Sequence, residues 1–395
     1  MVELVTVATF LIAAVASLFM AWAIGAGSSG STPFAPAVGA NAISVMRAGF
    51  FVGILGFAGA VLQGANVSEA VGTELIGGVT LSPAAATIAL IIAAALVAIG
   101  VFAGYPIATA FTVTGAVVGV GLAMGGDPAW AKYTEIVTLW VLTPFVGGGI
   151  AYAIARTLRA EPIAEEYLIV ALAALVGAIV ANIEFAVLGP PDGGASIARA
   201  TSGWIPGSDI VGIVAMTALI AALWAIAIGH DLRNGVERGE RHFLLLLGGL
   251  VAFSAGGSQV GLAIGPLIPL SGDVGLPLIA LLVGGGFGLL LGSWTGAPRM
   301  IKAISQDYSS LGPRRSIAAL IPSFVIAQVA VLFGIPVSFN EIIVSSIIGS
   351  GYAASSGGGV SARKMGYTVL AWVLSLAGSI LISFAGYLAI DALLL

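Results

Sequence analysis

Residues 25–39 read Gly-Ala-Gly-Ser-Ser-Gly-Ser-Thr-Pro-Phe-Ala-Pro-Ala-Val-Gly, and residues 256–269 read Gly-Gly-Ser-Gln-Val-Gly-Leu-Ala-Ile-Gly-Pro-Leu-Ile-Pro. Each run interrupts an apolar stretch long enough to cross a bilayer. Proline removes a backbone donor and glycine weakens a helix interior. Broken backbone at membrane depth is tolerated only where it is buried in protein or lines a polar cavity. The two runs also correspond: Ala26-Gly27-Ser28-Ser29 returns as Gly256-Gly257-Ser258-Gln259, 230 positions later. Tyr105-Pro106-Ile107-Ala108 returns as Ile335-Pro336-Val337-Ser338 at the same offset, and Trp140 returns as Trp372. Three landmarks in register imply a duplicated unit, which in membrane transporters places two halves around a central substrate site.

The composition agrees. Hydrophobic residues make up 59% of the 395 positions and charged residues 8%, far below the roughly 25% charged content of soluble domains. With no cysteine and only His230 and His242, disulfides, thiolate metal sites and multi-histidine centres are excluded. No P-loop, HExxH motif or nucleophile–base pair occurs, so neither ATP drive within the chain nor enzymatic chemistry is expected. The apolar run at 4–24 lacks a basic flank and reads as a membrane helix rather than a leader.

Expected crossings fall at 5–40, 44–64, 85–104, 106–125 and 134–156 in a first repeat (1–160), and at 243–270, 275–295, 316–335, 336–355 and 366–390 in a second (242–395). Helices at about 167–189 and 209–229 join them within 161–241, giving an all-α membrane protein of about twelve crossings. A repeat of five crossings must enter the membrane from opposite faces in its two copies. The charges support this inversion. Arg47, Arg156, Arg159, Arg233, Arg238, Arg241, Arg299, Lys302, Arg314, Arg315, Arg363 and Lys364 fall in loops on one side. Glu69, Glu74, Asp127, Asp192, Asp209 and Asp273 fall on the other, with only Lys132 and Arg199. The positive-inside rule then puts the basic side in the cytoplasm of a cell-membrane protein, with both termini outside.

The broken segments carry the candidate site. Ser28, Ser29, Ser31 and Thr32 sit in the first and Ser258 and Gln259 in the second. Pro106 and Pro336 are expected to open new helices, placing Thr109, Ser338 and Asn340 in first turns where free N–H groups and the positive dipole end face outward. Such ends meeting at mid-membrane hold a compact oxyanion without lysine or arginine. Small residues also serve close helix packing. The matched recurrence of the whole set favours a site. Glu341, one turn into the helix after Pro336, is a carboxylate at a costly depth and is a candidate for proton coupling or gating. Glu184 reads as interfacial, and the basic run 233–241 as a cytoplasmic loop.

These segments resemble the inorganic phosphate transporter (PiT) family, which includes sulfate permeases. Its GANDVANAFGPAVG signature is similar to residues 26–39, and FAHGANDVANAIGPL is similar to residues 253–267. Its PVSTTH signature is similar to Pro106–Phe111 and Pro336–Glu341, and the helices starting at Trp140 and Trp372 also match. The resemblance implies a secondary transporter of a small inorganic anion, with substrate contacts at the matched positions, a homodimer, the bilayer as its setting, and no nucleic-acid partner or cofactor. The family's Asn and Asp are here Ser28 and Ser29, and Ser258 and Gln259; Glu341 stands in place of its His. The family favours phosphate. A carboxylate-free set of hydroxyl and N–H donors suits sulfate, which carries no proton at neutral pH. The coupling ion, Na+ or H+, stays open at this point, and an anion channel is the reading of another class.

Overall fold

The computed structural model describes residues 4–160, 164–189, 194–353 and 360–394. Asp192, counted above among the acidic loop residues, lies outside them. The fold is almost entirely helical. Helix α1 (Leu4–Gly27) ends at the first broken run, and α2 (Ala35–Gly39) resumes after it. Then come α3 (Val45–Gln63), α4 (Ala65–Thr73), α5 (Pro83–Ala103), α6 (Thr109–Ala123) and α7 (Trp130–Thr157). The connecting region holds α8 (Glu165–Asn182), α9 (Ile197–Thr201) and α10 (Asp209–Arg233). The second half comprises α11 (Val236–Ile264), α12 (Ile268–Ser271), α13 (Leu278–Thr295), α14 (Ala297–Asp307), α15 (Pro313–Leu332), α16 (Phe339–Tyr352) and α17 (Ala362–Leu394). Ile76–Gly77 pairs with Asp127–Pro128, and Glu184–Phe185 with Ala195–Ser196, as two short antiparallel ladders.

Among the described residues, ten helices are long and apolar enough to span a membrane. The expected twelve crossings are not all full-length helices. α6 and α16 have 15 and 14 residues. At about 1.5 Å per residue they cover little more than 20 Å, short of a roughly 30 Å hydrocarbon core. Their shortness has a local cause. Pro106 and Pro336 do not open these helices as expected. Each stands in an extended lead-in, and the helices begin three residues later at Thr109 and Phe339.

The second broken run is a correction. Residues 256–264 continue α11 without interruption, and the helix gives way only at Gly265-Pro266. The prolines of this run come after the helix, and its glycines serve packing instead. A Cβ on Gly256 would overlap the Gly56 carbonyl oxygen, and one on Gly59 would overlap that of Phe253, so α3 and α11 meet backbone to backbone. The other half repeats the device: Gly25 would strike Leu289 and Gly292 would strike Trp22, at the contact of α1 with α13. Without a hydrophobic drive between helices in lipid, such close approach supplies the attraction. The polar run around 233–241 is likewise shorter as a loop than expected, because α10 extends to Arg233 and α11 starts at Val236. His230 and His242 are therefore helical, with His242 Nδ1 2.7 Å from Asp231.

Helices pack on partners from the opposite half. α1 lies against α13 as α11 lies against α3, and α6 lies against α17 as α16 lies against α7. Two indoles lace the halves: Trp140 Nε1 donates to the Pro336 carbonyl at 2.8 Å, and Trp372 Nε1 donates to that of Pro106 at 2.7 Å. Both tryptophans are buried. Trp140→Phe and Trp372→Phe each leave one buried carbonyl unpaired, costing about 1–3 kcal/mol. Thermal melting in detergent should show equal losses for the two variants; a loss confined to one would deny their equivalence.

Candidate functional site

The chain after α1 turns once more before breaking. Ser28 and Ser29 N–H groups still donate to the Ile24 carbonyl, while those of Ser31 and Thr32 donate to Ser28. Pro33 has no N–H to continue the ladder, and α2 restarts behind Phe34. Gly30 sits where a Cβ would overlap Gly25 and Ser293, so the turn is pressed against both α1 and α13.

Three of the candidate side chains, Ser28, Thr109 and Gln259, form one hydrogen-bonded cluster, and Asn340 ties the backbone beside it. Thr109 Oγ1 donates to Gln259 Oε1 at 2.7 Å, and Ser28 Oγ donates to the same oxygen at 3.2 Å. Gln259 Nε2 donates to the Val337 carbonyl at 2.6 Å. Asn340 Nδ2 donates to the carbonyls of Ile107 at 2.6 Å and Gly27 at 2.9 Å. Ile107 and Val337 are equivalent residues of the two repeats, and both proline lead-ins are pinned by amides of the second half, Ile107 by Asn340 and Val337 by Gln259. The N-termini of α6 and α16 thereby converge on the end of the α1 turn and the last turns of α11. Their first N–H groups have no partner within their own helices.

Ser28, Thr109, Ser258, Gln259, Ser338 and Asn340 are all fully buried. Several polar atoms in this region have no hydrogen-bond partner among the described residues: Ser258 Oγ, Ser338 Oγ and Asn340 Oδ1. Ser338 is the N-cap of α16, yet its side chain makes no capping bond, although serine at that position normally accepts from the first turn. A buried polar group left unpaired costs about 1–3 kcal/mol. Several together single this region out as the candidate site.

The remaining candidates are placed differently. Ser31 Oγ and Thr32 Oγ1 donate to the carbonyl of Ser28, at 3.2 and 3.0 Å, and so close their own turn. Ser29 is buried in that turn, 3% exposed. Glu341 is 2% exposed, and its Oε2 has no partner among the described residues. Further along α16, Ser345 and Ser346 also hold unpaired hydroxyls. Sequence reasoning passed over Gln63 and Gln328, which bond to one another between the halves. The available signal was a lone amide inside each of two otherwise apolar crossings. Glu184, read as interfacial, is exposed and takes part in one of the short ladders.

Residues 24–383 match the profile of the Phosphate transporter family. The chain is 28% identical over 371 residues to a "Putative phosphate permease" of Thermococcus kodakarensis, covering 87% of this chain and 88% of that one. It is 25% identical over 409 residues to "Inorganic phosphate transporter 2-1, chloroplastic" of Arabidopsis thaliana, covering 91% of this chain and 68% of that one. A solved structure titled "The sodium-dependent phosphate transporter" superposes with a TM-score of 0.81 at 22% identity, over 98% of this chain and all of that one.

Proposed function

The chain belongs to the phosphate transporter family, and from that membership we propose a secondary transporter that moves inorganic phosphate by alternating access, driven by an ion gradient. The observation that carries the reading is the enclosed cluster of Ser28, Thr109, Ser258, Gln259, Ser338 and Asn340, with its unpaired hydroxyls and two converging helix N-termini. Such donors suit a compact oxyanion. Their complete burial favours an occluded, alternating site over the continuous path that a channel needs. The basic loops face the cytoplasm in this reading, both termini lie outside, and the protein works as a homodimer.

Sulfate is the second reading, favoured by one feature: the hydroxyl–amide cluster itself contains no carboxylate to accept a proton from phosphate. Glu341 is the coupling candidate, since a buried carboxylate with a free oxygen can exchange a proton during the cycle. Sodium would instead draw on hydroxyl, amide and carbonyl oxygens.

Purified protein in liposomes decides among these. Labelled phosphate is expected to accumulate faster than labelled sulfate, and separate sodium and proton gradients identify the driver. Ser28→Ala combined with Ser258→Ala is expected to lower initial uptake by about tenfold or more, as two charge-assisted hydrogen bonds are lost. Glu341→Gln is expected to flatten the pH dependence while leaving binding of the anion measurable. Uptake of neither anion would sink the oxyanion reading, and an unchanged pH profile would remove Glu341 from the coupling step.

A further inference from the structure

A cavity of about 890 Å³ opens away from the buried cluster, between α3–α4, the linking helix α8 and α15. At roughly 30 Å³ per water it holds some thirty molecules, room for an ion with its hydration shell. Its wall includes Gln63, Asn66, Glu69, Asn182, Glu184 and Gln328. Apolar side chains such as Leu62, Ile179 and Val325 make up most of the remaining wall, and the polar groups form a strip across it that runs to its inner end.

At the inner end a file of polar groups leads towards the cluster. Gln63 and Gln328 exchange hydrogen bonds at 3.5 and 3.3 Å. Gln63 Nε2 is also tied to the Glu184 carbonyl at 2.8 Å, which anchors it to the segment behind α8. Gln328 Nε2 donates to Ser254 Oγ at 2.5 Å. Ser254 precedes Ser258 by one helical turn on the same face of α11, and Ser258 is the fully buried serine with an unpaired hydroxyl. Gly257, next to Ser258, packs on Gln63: a Cβ built there would sit 2.8 Å from the Gln63 Cβ. The amide pair therefore lies between the cavity and the stretch of α11 that carries Ser258.

The symmetry-related positions carry no such file: Gln63 is matched by Ser293, whose hydroxyl is bound back to the Leu289 carbonyl of its own helix. The positions that match Ser254 and Gln328 hold Ala23 or Ile24 and Val97 or Ala98, all apolar. A structural role common to both repeats would have kept the pattern in both. One-sided polarity is what a path leading to one membrane face requires.

We propose that this cavity is the access vestibule for the transported anion, and that the Gln63–Gln328 amide pair is the gate separating it from the buried site. The proposal rests on the transporter reading and adds the route. In the topology proposed above the vestibule faces outside, among the acidic loops. Glu69 and Glu184 are exposed, and physiological salt screens their repulsion of an anion beyond about 8 Å. The gate is an amide pair rather than an ion pair, so opening it exchanges neutral hydrogen bonds for those of water, at small cost.

The chain has no cysteine, so single cysteines can be read without background. Asn66→Cys lies in the vestibule, and Ser254→Cys lies behind the gate. Each is exposed to a membrane-impermeant cationic methanethiosulfonate in the absence of substrate, and the mass of the purified protein reports the adduct. Asn66→Cys is expected to react readily, and Ser254→Cys about tenfold more slowly, the factor a closed hydrogen-bonded gate imposes. Adding Gln63→Ala is expected to bring Ser254→Cys close to the Asn66→Cys rate, with Ser258→Cys as the alternative reporter should Ser254→Cys not fold. Equal rates without the gate mutation would overturn the gate. Continued protection with it would show that the file does not connect. The readout is a mass and not uptake, so an inactive transporter, which would count against the function, leaves this test intact.

Discussion

Gln259→Leu is expected to abolish anion uptake while the protein still reaches the membrane. Gln259 receives hydrogen bonds from Thr109 and Ser28 and gives one to Val337. It thus joins the end of α1, the start of α6 and the lead-in to α16 through a single side chain on α11. Leucine matches its volume, so packing survives. What is lost is the alignment of two donors and the satisfaction of one buried carbonyl. An unpaired carbonyl costs about 1–3 kcal/mol; misplaced donors add to this in the transport step. Together they put the expected loss at about a hundredfold, near 2.7 kcal/mol. Initial uptake per mole of reconstituted protein measures it. A variant that keeps half the native rate and the native affinity would place the anion somewhere other than this cluster.

Gly256→Val is expected to prevent folding altogether. A Cβ at Gly256 would meet the Gly56 oxygen, carbon and Cα, all backbone, at the seam of α3 and α11. Neither helix can yield by rotating a side chain, so the helices must separate. That undoes the reciprocal packing on which the membrane assembly depends. Overpacking ordinarily costs about 1–3 kcal/mol, and a clash with backbone lies at or above that range, a large share of the roughly 5–15 kcal/mol stability of a typical protein. Gly284→Ala on α13 is the control, because nothing lies within 4 Å of its added methyl. Alanine there gains about 1 kcal/mol of helix propensity. Monodisperse yield in detergent and thermal melting compare the two. Similar behaviour for both would mean that the seam is looser than its geometry.

The duplication, the membrane setting and the break after Gly27 were legible because they rest on features that no context can reverse: a repeated motif, apolar length, and prolines that lack donors. The run at 256–264 was not legible as a helix. Glycine weakens an isolated helix and also permits close packing, and only the apposed Gly56 and Phe253 backbones reveal which effect wins. The lead-ins at Pro106 and Pro336 were misjudged by three residues because their carbonyls are held by indoles from the opposite half. In the site, the residue types were readable but their partners were not. Ser31 and Thr32 turn back on Ser28, whereas Ser28 and Thr109 reach Gln259, a bond between residues 231 and 150 positions apart. The Gln63–Gln328 pair, 265 positions apart, was marked only by a lone amide in each of two apolar crossings, with nothing local to join them.

The reciprocal packing also dictates the order of assembly. α6 rests on α17, and α7 on α16, so helices inserted early wait for partners made more than two hundred residues later. Contacts this distant in sequence slow folding and lengthen the life of incomplete intermediates. During synthesis the α6 face carrying Gly115 and Gly119, which finally lies against Leu376 and Ile380, has only lipid or chaperone to cover it. The nascent first half is thus the species that membrane quality control meets, and variants that weaken its transient contacts will lower abundance more than they lower the stability of the finished protein.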